Sequence, residues 1–247
     1  MTVRLFGLWY SPWTAKARWA LDHHHVPYEY TEHVPMLGEA LLRWHARRPT
    51  GKVTVPLLAT DGGPITDSFA IAEWAERNGR GSPLFPEAGR REIEAWNARS
   101  ERALAAGRGL VVARTARSDR AKEEALPPFV PAALRPAMRA VATTGILFFR
   151  LKYGLGDAGE EERRAVIAEE LRALREALRG RPYLLGDFSY ADVVMAVTLQ
   201  LVRPADTARM RESAGTREAW TDPVLEGEFG DLLAWRDEIY KKFRPGS

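Results

Sequence analysis

The sequence of residues 51–74 reads Gly51-Lys-Val-Thr-Val-Pro-Leu-Leu-Ala-Thr-Asp-Gly-Gly-Pro-Ile-Thr-Asp-Ser-Phe-Ala-Ile-Ala-Glu-Trp74. Two β-prone runs, residues 53–59 and 64–66, are separated by Asp61-Gly62-Gly63. Glycine adopts a positive φ without steric cost, so an Asp-Gly-Gly sequence between β-prone runs is a strong hairpin signal. The segment therefore predicts two antiparallel strands joined by a tight turn.

The polar pair Asp67-Ser68 follows the hairpin and precedes apolar residues at helical spacing. Asp and Ser are preferred at helix N-termini because their side-chain oxygens accept otherwise unpaired amide hydrogens. Pro56 lies inside the first β-prone run, where it cannot donate to a sheet, so it requires an edge position or a special turn. Strand, proline, hairpin and capped helix together indicate a binding site as well as a scaffold.

This pattern resembles the glutathione-binding half of cytosolic glutathione transferases. The resemblance implies that Val55-Pro56 is a cis peptide bond, that it lies beside Ser11, and that the Val55 backbone pairs with the cysteinyl part of glutathione. It also implies that Asp67 and Ser68 bind the γ-glutamyl group, for which a helix N-terminus and a carboxylate are suited. In the family a Lys or Gln directly precedes the Val-Pro pair, whereas here Val53-Thr54 lie between Lys52 and Val55. Lys52 is retained as a predicted glutathione ligand.

The N-terminal segment predicts a strand over residues 3–9 and a helix beginning near Pro12. Bacterial family members with Cys-Pro at this strand-to-helix turn resemble Tyr10-Ser11-Pro12-Trp13, with Ser11 in the position of that cysteine. Ser11 is the predicted catalytic residue, because a hydroxyl and free amides at a helix N-terminus favour a thiolate. Tyr10 is the alternative donor. Ser11 acting only as a helix cap, and Tyr10 only as a packed ring, remain the structural alternatives.

The order of predicted elements divides the chain into two domains. Residues 1–79 are expected to form a thioredoxin-like α/β domain with the order βαβαββα, followed by a Gly- and Pro-rich linker over residues 80–89. Residues 90–247 are expected to form an all-α domain. Helices are predicted from residue 91 to about 116, from 132 to 153 and from 160 to 179, with an interruption over residues 119–131.

A second resemblance to the family lies at Gly186-Asp-Phe-Ser-Tyr-Ala-Asp192. Ser189 and Asp192 have the spacing of a helix capping box, in which each residue bonds a backbone amide of the other. In the family this motif serves folding, not chemistry. In the helical region, Phe148 and Phe149, like Trp13, are either core residues or part of an acceptor pocket between the domains.

Composition excludes several classes of protein and site. The net charge of +3, with 45% hydrophobic and 28% charged residues, is that of an ordinary globular protein and predicts no nucleic-acid partner. The chain contains no cysteine, so it offers neither a thiolate nucleophile nor a cysteine metal site. No apolar run approaches the roughly 20 residues that span a bilayer, and no signal peptide is evident. We expect a cytoplasmic protein with no membrane partner.

Two features are weaker pointers to function. Three consecutive histidines, 23–25, point about 100° apart on a helix and so do not converge on one ion; we expect a solvated helix end and no metal. The basic residues between 90 and 152 predict either a mixed-charge helix surface or a site for an acidic partner. A Ser/His hydrolase is not supported, since the sequence has no Gly-x-Ser-x-Gly elbow.

The resemblance thus predicts a detoxification enzyme of the glutathione S-transferase type. Its co-substrate would be glutathione, its second substrate a small hydrophobic electrophile, and its assembly a homodimer. The alternatives are a non-catalytic module that binds glutathione or a hydrophobic ligand, and a glutathione-dependent dehalogenase or isomerase on the same site.

Overall fold

The computed structural model describes residues 3–127, 129–156 and 158–244. The first part of the chain has the predicted order βαβαββα. Its elements are β1 (Arg4–Gly7), α1 (Pro12–His23), β2 (Glu29–Glu32), α2 (Glu39–His45), β3 (Leu57–Thr60), β4 (Gly63–Ile65) and α3 (Ser68–Asn78). The thioredoxin-like arrangement is confirmed.

The four strands form one mixed sheet with the order β2-β1-β3-β4. Strand β1 pairs in parallel with β2, and β3 pairs antiparallel with both β1 and β4. The β3–β4 connection is the hairpin that the Asp-Gly-Gly sequence predicts, and Gly63 has the positive φ of 118° that glycine accommodates.

Helices cover the sheet because its central strands carry apolar residues on both faces. Phe6 and Leu57 pack with Leu42 of α2, and successive strand residues such as Leu5 and Leu58 are fully buried on the other face. Helices α1 and α3 pack against each other, and Ala20 of α1 is fully buried. This packing fixes both helices relative to the strand ends from which they begin.

The remaining described residues are mostly helical, as predicted. The helices are α4 (Arg90–Arg117), α5 (Asp119–Glu124), α6 (Arg139–Tyr153), α7 (Glu160–Leu178), α8 (Tyr190–Thr198), α9 (Ala208–Glu212), α10 (Ala214–Trp220) and α11 (Pro223–Phe243). The described chain forms two compact units: residues 3–97 with 181–197 and 242–244, and residues 98–180 with 198–241. The predicted linker over residues 80–89 and the domain limits built on it remain predictions.

The structure differs from the helix prediction in the middle of the chain. The predicted interruption over residues 119–131 is wrong for its first six residues, which form α5 because the Ser118 hydroxyl accepts the Ala121 amide at 3.2 Å. The helix predicted from residue 132 begins as an α-helix only at Arg139. Before it come two short 3₁₀ turns, since Pro131 and Pro136 lack the amide hydrogen that an α-helix requires.

Ion pairs account for much of the basic character between residues 90 and 152. Arg114 bonds the fully buried Asp222 at 2.5 Å, and Arg99 bonds the buried Glu170 at 2.7 Å. On the surface, Arg120 pairs with Glu124 within α5. These pairs favour the mixed-charge helix surface over a site for an acidic partner.

Candidate active site

Strand register brings three predicted site segments to one edge of the sheet. Phe6 lies opposite Leu57, so the residues that precede β3, Val55-Pro56, come at the end of β1 from which the chain leads to Ser11. Leu58 lies opposite Ile65, so β4 ends at the same edge and continues directly into Asp67 and α3. The start of α1, the Val-Pro pair and the start of α3 therefore all lie at the same end of the strands.

Ser11 is the N-cap of α1, as the sequence predicts. It is 7% exposed, and its hydroxyl oxygen accepts the Thr14 amide at 3.5 Å. Pro12 occupies the first helical position, where its fixed φ fits and its missing amide hydrogen costs nothing. Because the Ser11 oxygen acts as an acceptor in the cap, its hydroxyl hydrogen stays available for donation.

The turn between β1 and Ser11 is held by side chains of neighbouring elements. The Thr14 hydroxyl accepts the Leu8 amide at 3.2 Å, and Glu32 Oε1 accepts the Trp9 amide at 3.1 Å. Gly7 permits this close approach, because a Cβ on it would lie 2.4 Å from Thr14 Cγ2. The backbone leading to Ser11 is therefore fixed from both α1 and β2.

The Val55-Pro56 peptide bond is cis, which confirms the prediction from sequence. Pro56 is buried and Val55 half-buried at the start of β3. Val53, one of the two residues between Lys52 and the Val-Pro pair, is 3% exposed and packs with the α2 core. Lys52 itself is exposed. Its binding role, and the spatial proximity of Pro56 to Ser11, remain predictions.

Asp67 and Ser68 begin α3. Asp67 is the N-cap, and its Oδ1 accepts the Phe69 and Ala70 amides at 2.9 and 3.0 Å. Ser68 is the first helical residue and is 2% exposed, whereas Asp67 is exposed. Within the described ranges, no protein group bonds Asp67 Oδ2 or the Ser68 hydroxyl. Both groups are thus available to a ligand at a helix N-terminus.

The remaining predicted site residues fall in different parts of the chain. Tyr10 and Trp13 are half-buried near the start of α1, and Tyr10 packs edge-on against Trp9 with ring centroids 5.5 Å apart. Phe148 and Phe149 lie on α6 and are half-buried. The Phe149 ring packs against Tyr153 at 4.8 Å. Their assignment to an acceptor pocket remains a prediction.

The prediction of a solvated helix end is wrong at His24, whereas His25 is exposed and His23 is half-buried. His24 is 1% exposed because Gly79 and Gly81 pack directly over it and His23. Burial, with the neighbouring His23 and His25, lowers the pKa of His24 to about 4. In the described part of the chain, no group of three or more His, Asp or Glu side chains could hold a metal ion.

Two residues that support the site were missed by the sequence analysis. Glu32 ends β2, and its second oxygen accepts the Tyr30 hydroxyl at 2.9 Å. Tyr190 follows the capping-box serine, and its hydroxyl donates to the Ser68 carbonyl at 3.3 Å. Nothing in local sequence signals either contact, because each depends on how distant segments pair.

Comparison with known proteins agrees with this arrangement. Residues 10–78 match the family profile of the glutathione S-transferase N-terminal domain. Over these residues the chain is therefore similar to the N-terminal domain of glutathione S-transferases. The match includes every predicted glutathione-binding position and both candidate catalytic residues.

Plant proteins named as glutathione S-transferases are similar to this chain. A probable glutathione S-transferase of Nicotiana tabacum is 36% identical over 85 residues, which cover 34% of this chain and 37% of that protein. The chain thus matches little more than a third of the length of that relative. The probable glutathione S-transferase GSTU6 of Oryza sativa is 28% identical over 201 residues, or 78% of this chain and 69% of that protein.

A solved structure extends the fold similarity beyond the glutathione S-transferase N-terminal domain. The Methylobacterium radiotolerans glutathione S-transferase, crystallised with glutathione sulfonate, superposes with a TM-score of 0.62 at 18% identity. The superposition covers 100% of this chain and 92% of that one. The thioredoxin-like domain followed by a mostly helical region is therefore the glutathione S-transferase fold. Among the helices that the structure describes, none has the length and hydropathy to cross a bilayer.

Proposed function

We propose that this protein is a glutathione transferase that conjugates the glutathione thiolate to a small hydrophobic electrophile. The observation that carries the proposal is the strand register that brings Ser11, Val55-Pro56 and Asp67-Ser68 to one edge of the sheet. Two helix N-termini begin at that edge. Positive helix ends suit an anionic ligand with both a carboxylate and a thiolate.

Asp67 and Ser68 are proposed to hold the γ-glutamyl end of glutathione. Asp67 Oδ2 would pair with the ammonium group, since Oδ1 is used by the helix cap. The Ser68 hydroxyl and the α3 terminus would receive the α-carboxylate. The Val55 backbone would pair with the cysteinyl part of glutathione, and Lys52 would also contact glutathione. The Methylobacterium radiotolerans glutathione S-transferase was crystallised with glutathione sulfonate, which supports glutathione as the class of ligand proposed for this site.

Ser11 is proposed to stabilise the thiolate. Its hydroxyl would donate to the glutathione sulfur, while the N-terminus of α1 supplies a favourable field. Lowering the thiol pKa raises the reactive thiolate fraction at neutral pH. The sulfur then forms a bond to the electrophilic carbon, and the electron pair leaves with the departing group or is protonated after addition. This assignment places the protein with the Ser/Cys-type members of the family, with Tyr10 as the alternative donor.

The proposed acceptor residues are Trp13, Phe148 and Phe149, whose half-buried aromatic rings suit an apolar electrophile. Replacing each ring separately with Ala and measuring the KM for the electrophile at saturating glutathione tests them one by one. A ring that contributes to the acceptor site raises that KM and leaves the KM for glutathione unchanged.

Two measurements test the proposed function. The first is retention on immobilised glutathione with elution by free glutathione, and the second is thiol conjugation of a general aryl halide. Retention with turnover supports the transferase. Retention without turnover indicates a binding module. Turnover with alkyl halides or isomerisable substrates, but not with the aryl halide, indicates the dehalogenase or isomerase. If the protein is not retained and also shows no turnover, the proposal is contradicted.

Ser11→Ala and Tyr10→Phe assign the thiolate donor. If Ser11 is the donor, Ser11→Ala lowers turnover about 10- to 100-fold, because a hydrogen bond to a charged group contributes roughly 1.5–3 kcal/mol. The KM for glutathione changes far less, since binding rests on Val55, Asp67 and Ser68. Tyr10→Phe leaves both the turnover and the KM for glutathione unchanged. The reverse pattern assigns the reaction to Tyr10.

A homodimer is also proposed, because twofold pairs are the commonest protein assemblies and are typical of the resembled family. Light scattering at micromolar concentration is expected to give twice the 27.7 kDa chain mass. A monomer at that concentration contradicts this part of the proposal.

A further inference from the structure

The capping-box segment that follows Gly186 contacts the proposed glutathione site through one side chain. Tyr190 is fully buried, and its hydroxyl donates to the Ser68 carbonyl oxygen at 3.3 Å. Ser68 is the first residue of α3 and follows its N-cap, Asp67. A residue far along the chain thus bonds the turn that is proposed to receive the γ-glutamyl group.

The Tyr190 ring is held in a single orientation. Its face stacks on Phe85 with centroids 4.8 Å apart, and Phe69 packs edge-on against it at 5.6 Å. Its amide donates to the Leu84 carbonyl at 2.8 Å. Aromatic pairs of this kind restrict ring motion, so the hydroxyl is aimed at α3 by packing.

The capping box fixes the helix that carries Tyr190. Asp192 Oδ2 accepts the Ser189 amide at 2.9 Å and the Ser189 hydroxyl at 3.1 Å, and Oδ1 accepts the Leu184 amide at 2.8 Å. Both residues are fully buried. The motif therefore sets the start of α8, and with it the position of the Tyr190 hydroxyl.

We propose that Tyr190 is a positioning residue for glutathione, which locks the first turn of α3 so that Asp67 and Ser68 are preorganised for the γ-glutamyl group. The inference rests on the proposed function and gives a motif expected to serve folding a second role in binding. Ordering a turn before the ligand arrives avoids a free-energy cost at binding, so the lock improves affinity.

The effect of the Tyr190–Ser68 hydrogen bond on glutathione binding can be separated from its effect on the stability of the fold. The Ser68 carbonyl also accepts the ordinary i+4 bond within α3, so removing the tyrosine hydroxyl leaves no unpaired acceptor. Tyr190→Phe keeps the ring and its packing on Phe69 and Phe85. Tyr190→Phe is therefore expected to change the mobility of the α3 N-terminus and the affinity for glutathione.

Tyr190→Phe is the test, with Tyr183→Phe as the matched control. Tyr183 lies shortly before this segment in the chain, and its hydroxyl bonds Lys242 Nζ instead of α3. Calorimetry is expected to show a glutathione Kd raised about 3- to 10-fold in Tyr190→Phe, the range for losing one net hydrogen bond. Turnover at saturating glutathione stays within twofold, and the melting temperature changes by less than about 3 °C. Tyr183→Phe leaves all three values unchanged.

Amide hydrogen exchange supplies a readout that needs no ligand. The Phe69 and Ala70 amides, which bond Asp67 Oδ1, are expected to exchange faster in Tyr190→Phe than in the wild type. Unchanged exchange overturns the inference, as does an unchanged Kd or a variant that fails to fold, because the hydroxyl would then be idle or purely structural. If the wild type does not bind glutathione, the proposed function fails, and the exchange rates alone decide whether Tyr190 locks α3.

Discussion

The Trp9 amide donates a hydrogen bond to Glu32 Oε1 at 3.1 Å, so the end of β2 fixes the turn that leads to Ser11. The Gly7 carbonyl strengthens this link by accepting the His33 amide at 2.7 Å. The parallel strands β1 and β2 thereby fix the backbone that leads to Ser11, the proposed thiolate donor. The positions of catalytic side chains depend on such support, since a small displacement weakens an interaction that must form in the transition state.

Glu32→Ala is expected to lower both stability and turnover. It removes the oxygen atoms that accept the Trp9 amide and the Tyr30 hydroxyl, and losing these hydrogen bonds is expected to cost about 1–3 kcal/mol of unfolding free energy. Glu32→Gln keeps one oxygen acceptor and is expected to restore most of the turnover. Glu29→Ala, which removes only an exposed ion pair with Arg4, is the control for a lost carboxylate on the same strand. Equal turnover in Glu32→Ala and Glu29→Ala would contradict the supporting role.

Ser68→Ala is expected to weaken glutathione binding by about 1–3 kcal/mol, because a charged ligand group loses its hydrogen bond. Calorimetry measures the change in Kd, and the melting temperature without ligand should stay close to that of the wild type. Ser82→Ala removes a hydroxyl that bonds His23 and serves as the control. An unchanged Kd would mean that Asp67 and Ser68 only begin the helix.

Gly7→Ala is expected to destabilise the protein by about 1–3 kcal/mol through overpacking. The added Cβ would lie 2.4 Å from Thr14 Cγ2 and displace the side chain that accepts the Leu8 amide. Gly62→Ala in the hairpin turn is the control, since the nearest atom there would lie 3.7 Å away. Urea unfolding of both variants checks the expectation, and equal midpoints would refute it.

The unfolding free energy is expected to decrease as the pH falls below neutral, because of His24. Its pKa is about 4 in the folded protein, against an ordinary value near 6.5, since its ring is buried between His23, His25 and the packed glycines. The nearest carboxylate, Glu76 Oε2 at 3.6 Å, already accepts the Leu84 and Phe85 amides. Between pH 6.5 and 4 the unfolded chain therefore binds more protons than the folded one, so the unfolding free energy falls as pH falls. The loss from His24 alone between pH 7 and pH 5 is about 2 kcal/mol.

The titration of Asp192 changes the unfolding free energy in the opposite direction, so its contribution must be distinguished from that of His24. Burial raises the pKa of Asp192 to about 6, so the folded state binds more protons between pH 6 and 3.8 and gains stability as pH falls. Comparing wild type with His24→Gln at each pH cancels the Asp192 contribution. The difference in unfolding free energy should shrink towards acid pH, whereas His25→Gln, at an exposed position, should follow the wild type. Parallel pH profiles for wild type and His24→Gln would count against a buried neutral His24.

Local physical chemistry was sufficient to predict the elements that build the candidate site. Ser11 and Asp67 are helix caps because their short side chains reach amides only two or three residues ahead. The Asp-Gly-Gly turn follows from the φ values that glycine permits. The cis Val55-Pro56 bond was expected from a proline inside a β-prone run together with the resemblance to glutathione transferases. These features need no knowledge of distant residues, so the βαβαββα order could be read along the chain.

Only the tertiary structure decided which distant groups support those elements. The Glu32–Trp9 and Tyr190–Ser68 bonds join residues 23 and 122 positions apart, and both depend on strand register and helix packing that no local pattern specifies. His24 looked solvent-facing in a polar run, yet it is buried because Gly79 and Gly81 return across the end of α1. Helix α5 begins at a residue expected to lie in a loop, since the Ser118 cap outweighed the prolines that follow it. Caps and turns are fixed by neighbours in sequence, whereas burial and support are fixed by neighbours in space.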